Sequence, residues 1–208
     1  MVHGDDKGLR LPPKIAPIQV VIIPIIKNED NLVEIQKYLE PLTDRFDNNG
    51  IRYQFDDRVK ISPGFKFNEW EMKGVPTRIE VGPRDMEADS VLVIRRDTGE
   101  KNIHKLDLAA DSLKNLLDEI QLNLFQQAKK FMDENTFTVE SYDEFKSNLN
   151  NGGFIRCGWD GNAASEAAIK SETKATIRCI LSESPAQEKN CVYSGNPAKY
   201  DVIYAKAY

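Results

Sequence analysis

The sequence predicts an α/β chain: a mixed-sheet domain with flanking helices, followed by a smaller α/β domain. Three observations carry this. Short apolar runs with strand periodicity alternate with runs of helical periodicity through residues 18–106, the pattern of a sheet covered by helices. One long amphipathic stretch, Asp107 to Asp133, has the length of a connection between two domains. Beyond it the alternation resumes in shorter elements, so the chain divides near residues 125–135. A length of 208 residues accommodates one large or two small domains.

The elements follow in order. Residues 1–17 form an extended lead segment, because Pro12, Pro13 and Pro17 oppose a helix. Gln19 to Ile25 is rich in β-branched residues and reads as a buried strand. Leu32, Ile35, Leu39, Leu42 and Phe46 recur at helical spacing, and Asn49-Gly50 stops that helix. Arg52 to Phe55 is a short strand. A short helix over Phe65 to Lys73 follows Ser62-Pro63-Gly64 and ends at Gly74. Thr77 to Val81 alternates with period two, Gly82-Pro83-Arg84-Asp85 turns into a short helical segment, Ser90 to Arg96 is a hydrophobic strand, and Gly99 to Leu106 is an edge strand or loop. In the second domain Ser141-x-x-Glu144 is a capping box opening a helix that Gly152-Gly153 breaks. Phe154 to Trp159, Thr176 to Leu181 and Asp201 to Ala207 read as strands, with a helix over Ala163 to Lys170.

Composition narrows the function classes. Hydrophobic residues at 40% and charged residues at 29% describe a globular chain, and the longest apolar run, Ile18 to Ile26, is too short to span a membrane. The polar, acidic N-terminus is no signal peptide, and three cysteines suggest a reducing cytoplasm. The formal net charge of −5 argues against a generic basic nucleic-acid binder, yet residues 1–106 carry 17 basic and 18 acidic side chains while residues 107–208 carry 11 and 15. The first half is nearly neutral and leaves room for a local basic patch. With only His3 and His104, no histidine-based triad is assembled.

Several groups are candidates for chemistry. On a helix, Phe67 and Glu71 lie one above the other; an aromatic face beside a carboxylate can hold an unstacked base, and the competing reading makes Phe67 and Trp70 core and Glu71 solvated. Arg78 shares a strand face with Glu80, where its guanidinium can fork onto guanine O6 and N7 or simply pair with Glu80. Arg84 and Asp85 open a helix, where a phosphate or a side-chain cap fits, with Asp85 as an ordinary N-cap the competing reading. Arg95, Arg96, Lys101 and Lys105 suit phosphate contacts or solvated charge. Cys157 and Cys191 each stand alone, without the close second thiolate that a structural zinc site needs, and Cys179 reads as buried core. No G-x-G-x-x-G or P-loop supports a nucleotide enzyme on this sheet.

These residues resemble a known family. Val2 to Pro17, with His3-Gly4-Asp5-Asp6-Lys7-Gly8, is similar to the segment leaving the catalytic domain of prolyl-tRNA synthetases of the eukaryotic- or archaeal-like class II type. Lys73-Gly74-Val75-Pro76-Thr77-Arg78-Ile79-Glu80-Val81-Gly82-Pro83-Arg84-Asp85 resembles their anticodon-binding domain. Thr176 to Ile180 and the terminal Ala205-Lys206-Ala207-Tyr208 resemble their C-terminal domain, which binds zinc in some members.

The resemblance implies an exit segment over 1–17, an anticodon-binding domain over 18–125 and the C-terminal domain over 126–208. It implies recognition of the proline tRNA anticodon stem-loop, with Glu71 and Arg78 on its two guanines, Arg84 and Asp85 as neighbouring contacts, and Phe67 and Lys101 as further ones. The partners implied are that tRNA and a class II catalytic domain that would precede Met1, not DNA or a membrane. Proline activation with ATP and Mg²⁺ belongs to that catalytic domain, so this chain alone is expected to be inactive. The cysteine positions of zinc-bearing members fall on Cys157, Asn162, Cys191 and Ser194; with two thiols of four, zinc is not expected. Tyr208 matches a terminal tyrosine whose carboxylate folds toward the catalytic site. The rival reading is a free-standing paralogue of the anticodon domain, serving as a non-catalytic interaction module.

Overall fold

A computed structural model of the chain describes residues 3–26, 29–181 and 189–206, so the expectation for Tyr208 lies outside the described residues. The chain divides into two compact units, Met1–Ala128 and Lys129–Tyr208.

The first unit begins with a small antiparallel hairpin, β1 (Gly4–Asp5) and β2 (Gly8–Leu9), in the segment where the sequence suggested only extended chain. Then come β3 (Val20–Pro24), α1 (Glu29–Asn48), β4 (Tyr53–Phe55), α2 (Pro63–Met72), β5 (Thr77–Val81), α3 (Pro83–Glu87), β6 (Ser90–Arg95), β7 (Lys101–Lys105) and α4 (Leu106–Glu134). Five strands form one sheet in the order β4-β3-β5-β6-β7. β3 pairs in parallel with β4 and β5, while β6 pairs antiparallel with both β5 and β7, so the sheet is mixed as expected.

Each face of this sheet has its own covering. Val20, Ile22, Ile79, Val81, Val91 and Val93 meet Ile35, Leu39, Leu42 and Phe46 of α1 and Leu113 and Leu117 of α4 in the main core. Burying each such large aliphatic side chain stabilises the fold by about 1.5–3 kcal/mol. Val21 and Ile23 point the other way, against Trp70 and Val75, which explains why β3 is apolar at every position. α2 covers only this part of the second face.

α2 starts two residues earlier than Phe65. Ser62 is its N-cap, accepting from the Phe65 N–H, and Pro63 occupies the first helical position, where a missing N–H costs nothing. The helix is anchored by a buried ionic cluster. The Asp56 carboxylate accepts from Arg58 (2.6 and 2.9 Å) and from the Trp70 indole (2.8 Å), and lies 3.4 Å from the Lys66 ammonium, whose side chain is 2% exposed. Burial alone would raise the Asp56 pKa; the bonds from Arg58 and Trp70 and the Lys66 charge outweigh it and hold the carboxyl well below the usual range.

The second unit contains β8 (Thr136–Thr138), α5 (Tyr142–Asn151), β9 (Phe154–Trp159), α6 (Ala163–Thr173), β10 (Ala175–Ile180) and β11 (Tyr200–Lys206), with strand order β10-β11-β9-β8. Its core gathers Phe145, Leu149, Ile155, Ile169, Val202 and Tyr204. The capping box is formed: Ser141 accepts from the Glu144 N–H and Glu144 accepts from the Ser141 N–H. β8 has no counterpart in the sequence reading. Three residues are too few to show a period, and the strand exists because it pairs in parallel with β9.

Cys179 is a correction. It is exposed, not core. β10 is an edge strand, and its register with β11 shifts between Ile177 and Cys179, so the alternation that would have turned Cys179 inward is broken.

Candidate nucleic-acid interface

Register brings the candidates of the first unit into a row. Arg78 on β5 pairs with Val21 on β3 and with Ile94 on β6, and Ile94 pairs with Lys101 on β7. Residues in register share a face, so Arg78 and Lys101 lie on the second face, beside the part that α2 covers. Together with Glu71 from the last turn of α2, they line a cleft of about 160 Å³, joined by Lys7, Arg95 and Arg96.

Arg78 is held on two sides. Its Nε donates to Glu80 Oε1 at 2.9 Å, and its guanidinium carbon lies 4.3 Å from the centre of the Phe67 ring. The two readings of Arg78 are therefore compatible: Glu80 occupies one nitrogen, while the terminal amino groups make no hydrogen bond among the described residues. A planar donor pair fixed by stacking and one ion pair is organised to meet two acceptors side by side. Phe67 itself does not line the cleft: it packs against the Val21, Ile23, Trp70 and Val75 cluster, with one ring face taken by the guanidinium.

Glu71 keeps 26% of its side chain exposed and pairs with Lys7 at 3.3 Å. Lys101 is exposed and makes no ion pair among the described residues. Arg96 is 7% exposed: its two terminal nitrogens fork onto Asp5 at 2.7 and 2.8 Å, and its Nε donates to the Glu71 carbonyl at 3.1 Å. This bond from Arg96 is the largest reason that Asp5 sits well below the ordinary carboxylate range. Arg95 is likewise engaged, by Asp97. The sequence reading named Arg95 and Arg96 as phosphate contacts or solvated charge; both are committed to carboxylates. The residues it did not single out are Lys7, which lines the cleft, and Asp5, which holds Arg96. Their only sequence signal is the acidic-basic turn Asp5-Asp6-Lys7-Gly8, which does not say what it packs on.

Arg84 and Asp85 do not line this cleft. They lie in α3, which follows the opposite end of β5. Asp85 is not the N-cap of that helix. Gly82 is, and Asp85 sits at the third helical position, its Oδ2 accepting from the Gly82 N–H at 2.8 Å. Arg84 is exposed and unpaired among the described residues, so it remains open to a phosphate.

The four positions that the resemblance links to zinc hold two thiols, an amide and a hydroxyl. Cys157 and Cys191 are buried, and burial, with the neighbouring Cys191 second, pushes the Cys157 thiol up to about 12. Asn162 spends its side chain capping α6, accepting from the Ala164 N–H at 2.9 Å. Ser194 donates to Asp160 at 2.7 Å, and Asp160 also accepts from Ser165 at 2.7 Å. Among the described residues, no three His, Cys, Asp or Glu side chains are placed to share a metal ion. Nor, among them, is any helix long and apolar enough to cross a membrane.

Comparison with known proteins agrees with the fold of each unit. A family model described as an anticodon binding domain matches residues 19–117, and one described as the C-terminal domain of prolyl-tRNA synthetase matches residues 142–208. The chain is 44% identical over 208 residues to a proline–tRNA ligase of Porphyromonas gingivalis strain W83, covering all of this chain and 42% of that protein. It is 45% identical over 212 residues to the proline–tRNA ligase of Bacteroides fragilis strain NCTC 9343, covering 43% of it, and 44% identical over 209 residues to that of Flavobacterium johnsoniae, covering 42%. The chain thus spans less than half the length of these relatives. It belongs to the prolyl-tRNA synthetase family, of which it carries the anticodon-binding and C-terminal domains.

Proposed function

We propose that this chain reads the anticodon stem-loop of proline tRNA through the cleft of its first unit, for a cytoplasmic enzyme that joins proline to that tRNA. One observation carries the reading: Arg78 is immobilised by Glu80 and Phe67 with its terminal nitrogens free, in the same cleft as the Glu71 carboxylate. Guanine suits such a pair. Its O6 and N7 accept from a forked guanidinium, and its N1–H and N2–H donate to a carboxylate. Lys101, and Arg84 at the far end of β5, supply charge for the phosphates, with Asp85 shaping the turn beside Arg84. The site selects an unstacked loop base over duplex DNA, because both groups line a cleft and the helix that carries Glu71 is packed on the sheet by Trp70.

ATP, Mg²⁺ and proline belong to the class II catalytic domain, so this chain by itself catalyses nothing, and its second unit closes on hydrogen bonds around Asp160 without zinc. The free-standing module is not favoured, since whole-chain similarity to proline–tRNA ligases includes the lead segment.

Binding of the 208-residue chain to a proline anticodon stem-loop, against one with both anticodon guanines replaced, tests the reading. Arg78→Ala is expected to lose about 1–3 kcal/mol of that discrimination. Equal affinity of the unaltered chain for the two loops would overturn the base-reading role of Glu71 and Arg78.

A further inference from the structure

The hairpin β1–β2 is built into the cleft at four points. Asp5 is forked by the nearly buried Arg96, and Arg96 in turn holds the Glu71 carbonyl. Gly8, at φ +124°, lies so close to α2 that a Cβ there would come within 2.6 Å of the Met72 Cα. Gly74, at φ +74°, lies as close to Leu9. The Leu11 N–H donates to the Gly74 carbonyl at 3.2 Å. Between these anchors the Lys7 N–H donates to Asp5 at 2.9 Å, and the Lys7 side chain, 70% exposed, reaches over the cleft to Glu71.

A lysine fixed at its backbone and free at its tip, resting on the carboxylate that the proposed function assigns to a base, has a second use. We propose that Lys7 is a further RNA-binding residue: its ammonium sits on Glu71 in the free protein and passes to a phosphate of the bound loop when a base claims that carboxylate. This rests on the base-reading role of Glu71. An ion pair this exposed is weak and screened by salt, so it yields readily. The exchange leaves no charge stranded, since Glu71 gains the base N–H donors while the ammonium moves to a neighbouring anion. Asp5 and Arg96 are then positioning residues, holding the hairpin where the ammonium reaches both partners.

The salt dependence of binding separates this role from mere packing. Each phosphate neutralised in a single strand contributes a slope of about −0.7 to log K against log salt. Lys7→Met in the full chain is expected to make the slope shallower by about 0.7, so that binding falls about 2.6-fold less between 50 and 200 mM salt. Guanine discrimination should persist, Lys7→Arg should restore the slope, and Asp5→Asn should reduce it with Lys7 still present. An unchanged thermal midpoint in Lys7→Met confirms that folding is intact. An unchanged slope, or tighter binding at every salt concentration, would overturn the proposal, the latter by making Lys7 only a competitor for Glu71. If the unaltered chain bound both loops equally, the base reading would fall, and with it the exchange, whatever slope Lys7→Met gave.

Discussion

Removing the Asp56 carboxylate should cost the first unit more stability than any surface change. In Asp56→Ala the Trp70 indole N–H loses its acceptor, a loss of about 1–3 kcal/mol for a buried donor. The Lys66 ammonium, 2% exposed, loses its counter-charge and keeps only the backbone carbonyl of residue 56 at 2.9 Å. Stranding one partner of a buried ion pair costs about 3–5 kcal/mol. The two losses share one site and do not add in full, so about 4–5 kcal/mol is expected, a large share of the about 5–15 kcal/mol that holds a domain together. The chain has two tryptophans, Trp70 and Trp159. In a Trp159→Phe background, fluorescence during urea unfolding therefore follows the first unit alone. The double variant Asp56→Ala/Lys66→Met removes the stranded charge and should recover at least about 2 kcal/mol. A single-variant cost below about 1 kcal/mol would refute the reasoning, and so would a double variant no more stable than the single.

Acid should weaken the first unit through the same groups. Asp5, Asp56 and Asp97 all have folded pKa values below the unfolded value of about 3.9, so their stabilisation is whole above that pH and is lost as the pH falls toward the folded values. Urea midpoints measured between pH 6 and 2 should drop below about pH 4, and less steeply in Asp56→Asn. Gly74→Ala should destabilise the first unit by at least about 1 kcal/mol, because φ +74° and the approach to Leu9 both oppose a Cβ; an unchanged melting temperature would contradict the close packing of the hairpin. Ser141→Ala should cost the second unit about 1 kcal/mol by opening the capping box, read by thermal unfolding. Asp160→Ala should lower second-unit stability by about 1–2 kcal/mol, whereas chelators should leave it unchanged; a stoichiometric tightly bound zinc ion would contradict closure by hydrogen bonds.

Much of the architecture was legible because it depends on local patterns. The apolar run at Val20–Pro24, the helical spacing of Leu32 to Phe46, the alternation at Thr77–Val81 and the Ser141 box each specify an element without reference to the rest of the chain. The hairpin at residues 4–9 and the strand at 136–138 were not legible, since such short segments become strands only by pairing. Nothing local marks Asp56, in the acidic pair Asp56-Asp57, as the buried anchor it is, because its partners Lys66 and Trp70 arrive from a helix that begins at residue 63. Cys179 misled for a related reason: one register shift at a sheet edge turned an apolar context outward.

The same division runs through the candidate site. The sequence by itself determined which chemical groups are present: a carboxylate at Glu71, a guanidinium at Arg78 on the same strand face as Glu80, a ring at Phe67, and thiols at Cys157, Cys179 and Cys191. It also determined the family, because identity along the whole chain needs no coordinates. Only the tertiary structure decided that Phe67 braces Arg78, that Arg84 and Asp85 stand at the other end of the strand, and that Lys7 rests on Glu71. Spacing along a chain sets what shares a helix or strand face. Which faces meet is set by strand register and by packing between segments distant in sequence, and that is where the cleft is made.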